Sequence, residues 1–295
     1  MSYPPIETIK NNPSLEGLAR MCPDIVYSTA TGTPLKLALL LPWANHYQPE
    51  KAARCPLIIF VQGSSWTFPD IYTEIPQLSE YARNGYVVAT VTHRNAMEGH
   101  PYPAFLQDVK TAIRFLRANA DKYCIDPERV LIWGTSSGGN TAMLVGLTQD
   151  DPQFKTEEYA DQSDAVNAVV QCFGPTDIRD MYTYYQSAFP GKDFDTKDNV
   201  FYGLCGGKPS EHFEIADAMS PTCYIEKCEK IPPFLMLQGD ADPVVPYDQC
   251  LKMYHMLCDA GADVRMIRVE GAPHERSFWS RELLDIITEY IHSKI

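Results

Sequence analysis

Short apolar runs rich in β-branched residues alternate along the chain with longer stretches of helical periodicity. Seven of these runs read as strands: Leu35–Leu41, Pro56–Gln62, Tyr86–Thr92, Arg129–Gly134, Ala165–Phe173, Pro233–Gln238 and Val264–Glu270. The middle ones are apolar at successive positions, as a parallel strand covered by helices on both faces requires. Amphipathic helices lie between them. Phe105, Val109, Ala112, Ile113, Leu116 and Ala120 form one stripe, with Lys110, Arg114 and Arg117 opposite; Trp279, Leu283, Ile286, Ile287 and Tyr290 form another near the C-terminus. Strand–helix alternation over almost the whole length predicts one doubly wound α/β domain, residues 1–295, with a mostly parallel sheet. The rhythm breaks from about residue 174 to 231. No clean strand pattern occurs there, but Tyr182, Tyr184, Tyr185, Phe189, Phe194, Phe201 and Tyr202 crowd together. This predicts a helical and loop insertion, serving either as a cap over one end of the sheet or as a small satellite core.

Composition narrows the class. Hydrophobic residues make up 45% and charged residues 21% of 295, which excludes a disordered chain, a coiled coil and a fibre. No stretch approaches ~18 consecutive apolar residues, so no membrane-spanning helix is expected. The 38 acidic against 25 basic side chains leave a net charge of −13, which repels phosphate backbones and argues against a nucleic-acid partner. The nine cysteines include no C-x-x-C pair, so neither a zinc ribbon nor a thioredoxin-type motif is supported. They read as free thiols behaving as small hydrophobes in a reducing compartment. The N-terminal residues lack a basic segment followed by an apolar core, and a cytoplasmic location is the expectation.

The chemistry concentrates in RVLIWGTSSGGNTAMLVGL, where a strand ends at Gly134 and a helix follows at once. Gly134-Thr135-Ser136-Ser137-Gly138 matches G-x-S-x-G in the strand–turn–helix context that this motif needs. The serine sits on a sharp, strained turn, so the positions two before and two after it must be nearly free of side chain. Ser136 has glycine at both; Ser137 has Thr135 and Gly139 and fits less well. Ser136 is therefore the candidate nucleophile. An acid and then a histidine should follow in the chain. Two carboxylates, Asp240 and Asp242, lie in the loop Gly239–Pro246 after a strand; Asp242 is preferred because it lies deeper and precedes Pro243, leaving Asp240 as a turn-forming or capping residue. His274 leaves the last strand in Gly271-Ala272-Pro273-His274, where small residues suit an imidazole held over a site. The other histidines (His46, His93, His100, His212, His255 and His292) lack such a context and read mostly as loop or helix-surface residues. The loop Gln62-Gly63-Ser64-Ser65-Trp66 follows a central strand, and its small residues let backbone N–H groups approach a substrate carbonyl. The oxyanion donors expected are the amides of Ser64 and Ser137, with Ser65 as the alternative to Ser64. Trp66 either walls the substrate pocket or anchors the loop in the core.

Taken together, GTSSGG, QGSSW, GDADPVVP, GAPHE and YPAFLQDVKTAIRFLRANADKYCIDPERV resemble the α/β-hydrolase superfamily over Leu35 to the end. Within it they are similar to the esterase/lipase branch that includes the bifunctional feruloyl and acetyl xylan esterases. The resemblance implies an ester hydrolase with Ser136, Asp242 and His274 as its triad, needing no metal and no organic cofactor. It implies a small-molecule or oligosaccharide ester as substrate, most directly an acetyl or feruloyl ester of plant-cell-wall sugar. The pattern Gly239-x-x-Asp242-x-x-Val245-Pro246 fits the acid loop of that branch and supports Asp242 over Asp240. The chain departs in carrying Gln62 where a histidine usually opens the oxyanion loop, and serines where glycines follow. Cleavage of an amide-like bond, as in arylformamidases, a broad small-ester carboxylesterase, and a non-catalytic binder on a hydrolase fold are the alternatives. A binder has no need of a complete Ser–Asp–His set.

Overall fold

A computed structural model describes residues 3–11, 15–47 and 52–295, without the side chains of 46 and 47. Among the described residues eight strands form one sheet: β1 (Ala19–Ser28), β2 (Leu35–Pro42), β3 (Cys55–Val61), β4 (Val87–Val91), β5 (Ile125–Thr135), β6 (Ala168–Cys172), β7 (Phe234–Gly239) and β8 (Val264–Val269). Their order is β1-β2-β4-β3-β5-β6-β7-β8. β2 runs antiparallel to both β1 and β4, and every other pairing is parallel.

The run of apolar residues in the middle strands has a direct cause. β3, β4, β6 and β7 are buried at every position, because helices cover both faces of the sheet. Leu57, Ile59 and Val61 pack into the layer formed with helices Ala104–Ala118, Ser137–Leu147 and Tyr247–Asp259. Ile58 and Phe60 point the other way, into the layer formed with helices Ile75–Arg83 and Arg281–Lys294. At roughly 1.5–3 kcal/mol for each fully buried aliphatic or aromatic side chain, these two layers supply the driving force that fixes the parallel register. The loops leaving β3, β5, β7 and β8 thus emerge at the common C-terminal end of these parallel strands, where the candidate chemistry lies.

Two sequence expectations need correction. β1 had no strand signal. Its segment holds Pro23 and Asp24, the register shifts between Cys22 and Ile25, and Asp24 adopts φ 54°, so the apolar alternation is broken. An edge strand tolerates such an interruption, and the bulge blunts the edge against pairing with another chain. Nor is the polar face of helix Ala104–Ala118 a solvent face. Lys110 and Arg114 are completely buried, held by the two oxygens of Asp164 at 2.6 and 3.0 Å. The segment around 148–164 covers them, and the Thr148 carbonyl also accepts from Lys110. Burial pushes the Lys110 amine down while the Asp164 charge opposes it.

Residues 174–231 carry no strand; helices Ile178–Ala188, Val200–Cys205 and Phe213–Ala218 join with short 3₁₀ turns. Tyr182 meets Phe194, Phe201 and Phe213 edge to face, so part of this segment forms its own small core. Among the described residues no helix is long and apolar enough to cross a membrane. All nine cysteines are free thiols, and Cys55, Cys124, Cys172, Cys205 and Cys250 are buried.

Candidate active site

The elbow after β5 is built by close approach. Ser136 adopts φ 50°, ψ −123°, a strained conformation between the strand and helix Ser137–Leu147. A Cβ at Gly134 would lie 2.0 Å from the Gly138 carbonyl oxygen, and one at Gly138 would lie 2.0 Å from that of Val61. The spacing of the two glycines around Ser136 therefore has a steric origin. The Ser136 N–H donates to the Cys172 carbonyl at 2.9 Å, tying the turn to the end of β6.

Above the strand ends, residues far apart in sequence converge. His274 Nε2 lies 2.9 Å from Ser136 Oγ, and its Nδ1 lies 2.8 Å from Asp242 Oδ2. With the carboxylate on Nδ1, that nitrogen carries the proton and Nε2 is left as acceptor for the serine hydroxyl. The Asp242 side chain is fully buried and fully satisfied. Its Oδ1 accepts the N–H groups of Val244 and Val245 at 2.8 and 2.9 Å, and its Oδ2 also accepts from Gln238 Nε2 at 2.9 Å. Asp240 lies apart from the imidazole. It accepts the Gly271 N–H and pairs with Arg268, and these two contacts hold its carboxyl below the ordinary carboxylate range. The Phe173 ring meets the His274 ring edge-on at 4.7 Å and restricts its tilt.

The loop after β3 differs from expectation in one contact. Gly63 N–H donates to Thr135 Oγ1, and Ser64 N–H donates to Ser137 Oγ, both at 2.9 Å. The Ser64 amide is thereby committed within the protein. The Ser65 amide has no acceptor among the described residues, and Ser137, first in its helix, has no intrahelical acceptor for its N–H. Both residues border a pocket of ≈ 230 Å³ beside Ser136. Trp66 borders this pocket while buried to 2% exposure and packed on Phe105.

The opposite wall comes from residues 174–231, with Tyr185, Phe189, Lys192 and Phe194. The Tyr185 hydroxyl donates to the Val244 carbonyl; burial, reinforced by the Asp242 charge, pushes it up to about 12, so it stays a protonated donor. Sequence reasoning did not single out Gln238, Phe173, Val244 or Val245 as site residues. Gln238, a polar residue closing an otherwise apolar strand, was the one visible signal among them. Of the other histidines, His255 and His292 are exposed, whereas His93 is a buried core residue. His93 Nδ1 donates to the Arg94 carbonyl, and burial pushes its imidazole down. The His46 side chain lies outside the described residues.

A largely parallel sheet with a strand–serine–helix elbow and a hydrogen-bonded histidine and aspartate on later loops defines the α/β-hydrolase fold. The chain belongs to the BD-FAE family, whose profile matches residues 45–257. It is 32% identical over 238 residues to the esterase LipC of Mycobacterium tuberculosis, covering 80% of this chain and 56% of that protein. LipQ of the same organism, also named an esterase, is 29% identical, covering 71% of this chain and 47% of LipQ. The chain thus spans about half the length of these curated relatives. Among solved structures, a truncated carbohydrate esterase from gut microbiota superposes with a TM-score of 0.76 at 26% identity, covering 96% and 99% of the two chains. The butyrate-bound esterase Est2 of Thermogutta terrifontis shares the fold, with a TM-score of 0.73 at 23% identity over 95% of each chain.

Proposed function

We propose that the protein is a serine carboxylic-ester hydrolase working through an acyl-enzyme. One observation carries the reading: the unbroken run from Ser136 Oγ through His274 to a buried, fully bonded Asp242. His274 Nε2 takes the hydroxyl proton as Ser136 attacks the ester carbonyl, and Asp242 orients the ring and stabilises its imidazolium. The free amides of Ser65 and Ser137 receive the oxyanion, with Ser65 in place of Ser64. His274 then protonates the leaving alcohol and activates the water that releases the acyl group. Residues 174–231 act as the cap that closes the pocket. Acetyl or feruloyl esters of plant-cell-wall carbohydrate are the proposed substrate class. Membership of the family and the carbohydrate esterase among the similar structures support it.

The test is labelling by a fluorophosphonate probe together with turnover of 4-nitrophenyl acetate, methyl ferulate, acetylated xylan and formylkynurenine. Ser136→Ala should abolish labelling and cut turnover by several orders of magnitude with the fold intact. Ser137→Ala should keep most activity, because alanine retains the N–H and loses only the tie to Ser64. Dead Ser137→Ala alongside active Ser136→Ala would move the nucleophile. A wild-type protein that neither labels nor turns over any of these would be a binder.

A further inference from the structure

The pocket beside Ser136 has an uneven electrical lining. In a chain with 38 acidic and 25 basic residues, no carboxylate among the described residues lines it, and the one charged residue among those that do is Lys192. Lys36, Lys110, Lys208, Lys252 and Lys294 each pair with a carboxylate, whereas Lys192, like Lys122, Lys197 and Lys227, pairs with none among the described residues, and of these it alone borders the pocket. Two aromatic rings of the pocket wall hold it instead. Its ammonium stands 5.9 Å from the Phe189 ring centre and 5.6 Å from that of Phe194. Such contacts steady a cation without neutralising it. The net charge of −13 works against any anionic ligand approaching the surface, and an unpaired ammonium at the pocket offsets that repulsion locally.

We propose that the part of the ester seated in this pocket bears a carboxylate recognised by Lys192, on an apolar or aromatic body that packs against Tyr185 and Phe189. The inference rests on the ester-hydrolase reading of Ser136. Within the proposed class of cell-wall carbohydrate esters, the pocket favours those that bear an acidic group, a preference read by charge rather than by size.

Two substrate pairs test it, one with the charge on each side of the scissile bond. They are 4-acetoxybenzoate against 4-acetoxybenzamide, and mono-4-nitrophenyl glutarate against 4-nitrophenyl valerate. Comparing the anion-to-neutral ratio of kcat/KM between wild type and variant removes the intrinsic reactivity of each ester. In at least one pair, Lys192→Met should lower that ratio about fivefold, the upper end for a partly exposed ion pair. Lys192→Glu should lower it further, and Lys192→Arg should restore it. The change should lie in KM, and added salt should reproduce it in the wild type but not in Lys192→Met. A ratio that neither Lys192→Met nor Lys192→Glu moves in either pair would overturn the assignment. Hydrolysis of none of the four esters by a wild type that labels with the fluorophosphonate probe would overturn this inference alone; without labelling or turnover of the other esters, the esterase reading would fall with it.

Discussion

Replacing Asp242 by asparagine tests how much of the site depends on a single oxygen atom. The carboxylate accepts four hydrogen bonds: two backbone N–H groups on Oδ1, and Gln238 Nε2 and His274 Nδ1 on Oδ2. An asparagine offers one acceptor oxygen and one NH₂ group. Placed with the NH₂ toward Val244 and Val245, it opposes two fixed backbone donors. Turned the other way, it opposes the Gln238 amide and donates to His274 Nδ1, which then must carry its proton on Nε2. A protonated Nε2 cannot accept from Ser136 Oγ. Neutralising a triad aspartate in this way lowers turnover by about 10⁴, or roughly 5.5 kcal/mol. Asp240→Asn can keep the Gly271 bond through its amide oxygen and loses only the ion pair with the exposed Arg268, so it should change kcat/KM by no more than a few-fold. Both variants should be assayed on 4-nitrophenyl acetate beside thermal melts that verify folding. Asp242→Asn retaining more than about a tenth of wild-type activity, or Asp240→Asn losing more than Asp242→Asn, would refute this account of the site.

Gly138→Ala should destabilise the fold as well as the site, because its Cβ would meet the Val61 backbone oxygen at 2.0 Å and no flexible side chain can yield. Overpacking of that kind costs about 3 kcal/mol or more, a melting-point drop of roughly 5–10 °C, and an unchanged Tm would contradict the close approach. Stability should also decline in alkali. Burial raises Cys172, Cys250, Tyr81 and Tyr185 to about 12, so between pH 9 and 12 the folded chain holds protons that the unfolded chain has released. Their contribution is present in full below the unfolded values and is lost as pH rises through the folded ones. Melting points from pH 8 to 11 should fall, and a flat profile would contradict the burial of these groups.

The α/β architecture was legible because β3, β4, β6 and β7 are buried on both faces and therefore read as unbroken apolar runs. The elbow was legible for a steric reason, since only glycine fits at 134 and 138. β1 was not, because an edge strand needs no continuous apolar face and here contains Pro23. The buried Lys110, Arg114 and Asp164 escaped notice because charges on one helix look solvated until a distant carboxylate is known to face them. In the site, loop position and family pattern favour Asp242 over Asp240, and its hydrogen bond to His274 is a matter of geometry alone. The commitment of the Ser64 amide to Ser137 Oγ could not be read, since it depends on a contact between two loops 73 residues apart.

The span between Ser136 and His274 has a consequence for how the chain acquires its competence. The hydrogen bond joining them closes a stretch of 138 residues, and His274 follows β8, the last strand in the chain and one edge of the sheet. The elbow itself needs only β3, β5 and β6, so a partly assembled chain can already present a strained serine with no base beside it. Contacts of such long separation form late, because loop closure must precede them. On refolding, secondary structure and much of the buried core should therefore return before reactivity does. Serine labelling becomes a timer for completion of the sheet, reporting the docking of its final strand rather than the collapse of its centre.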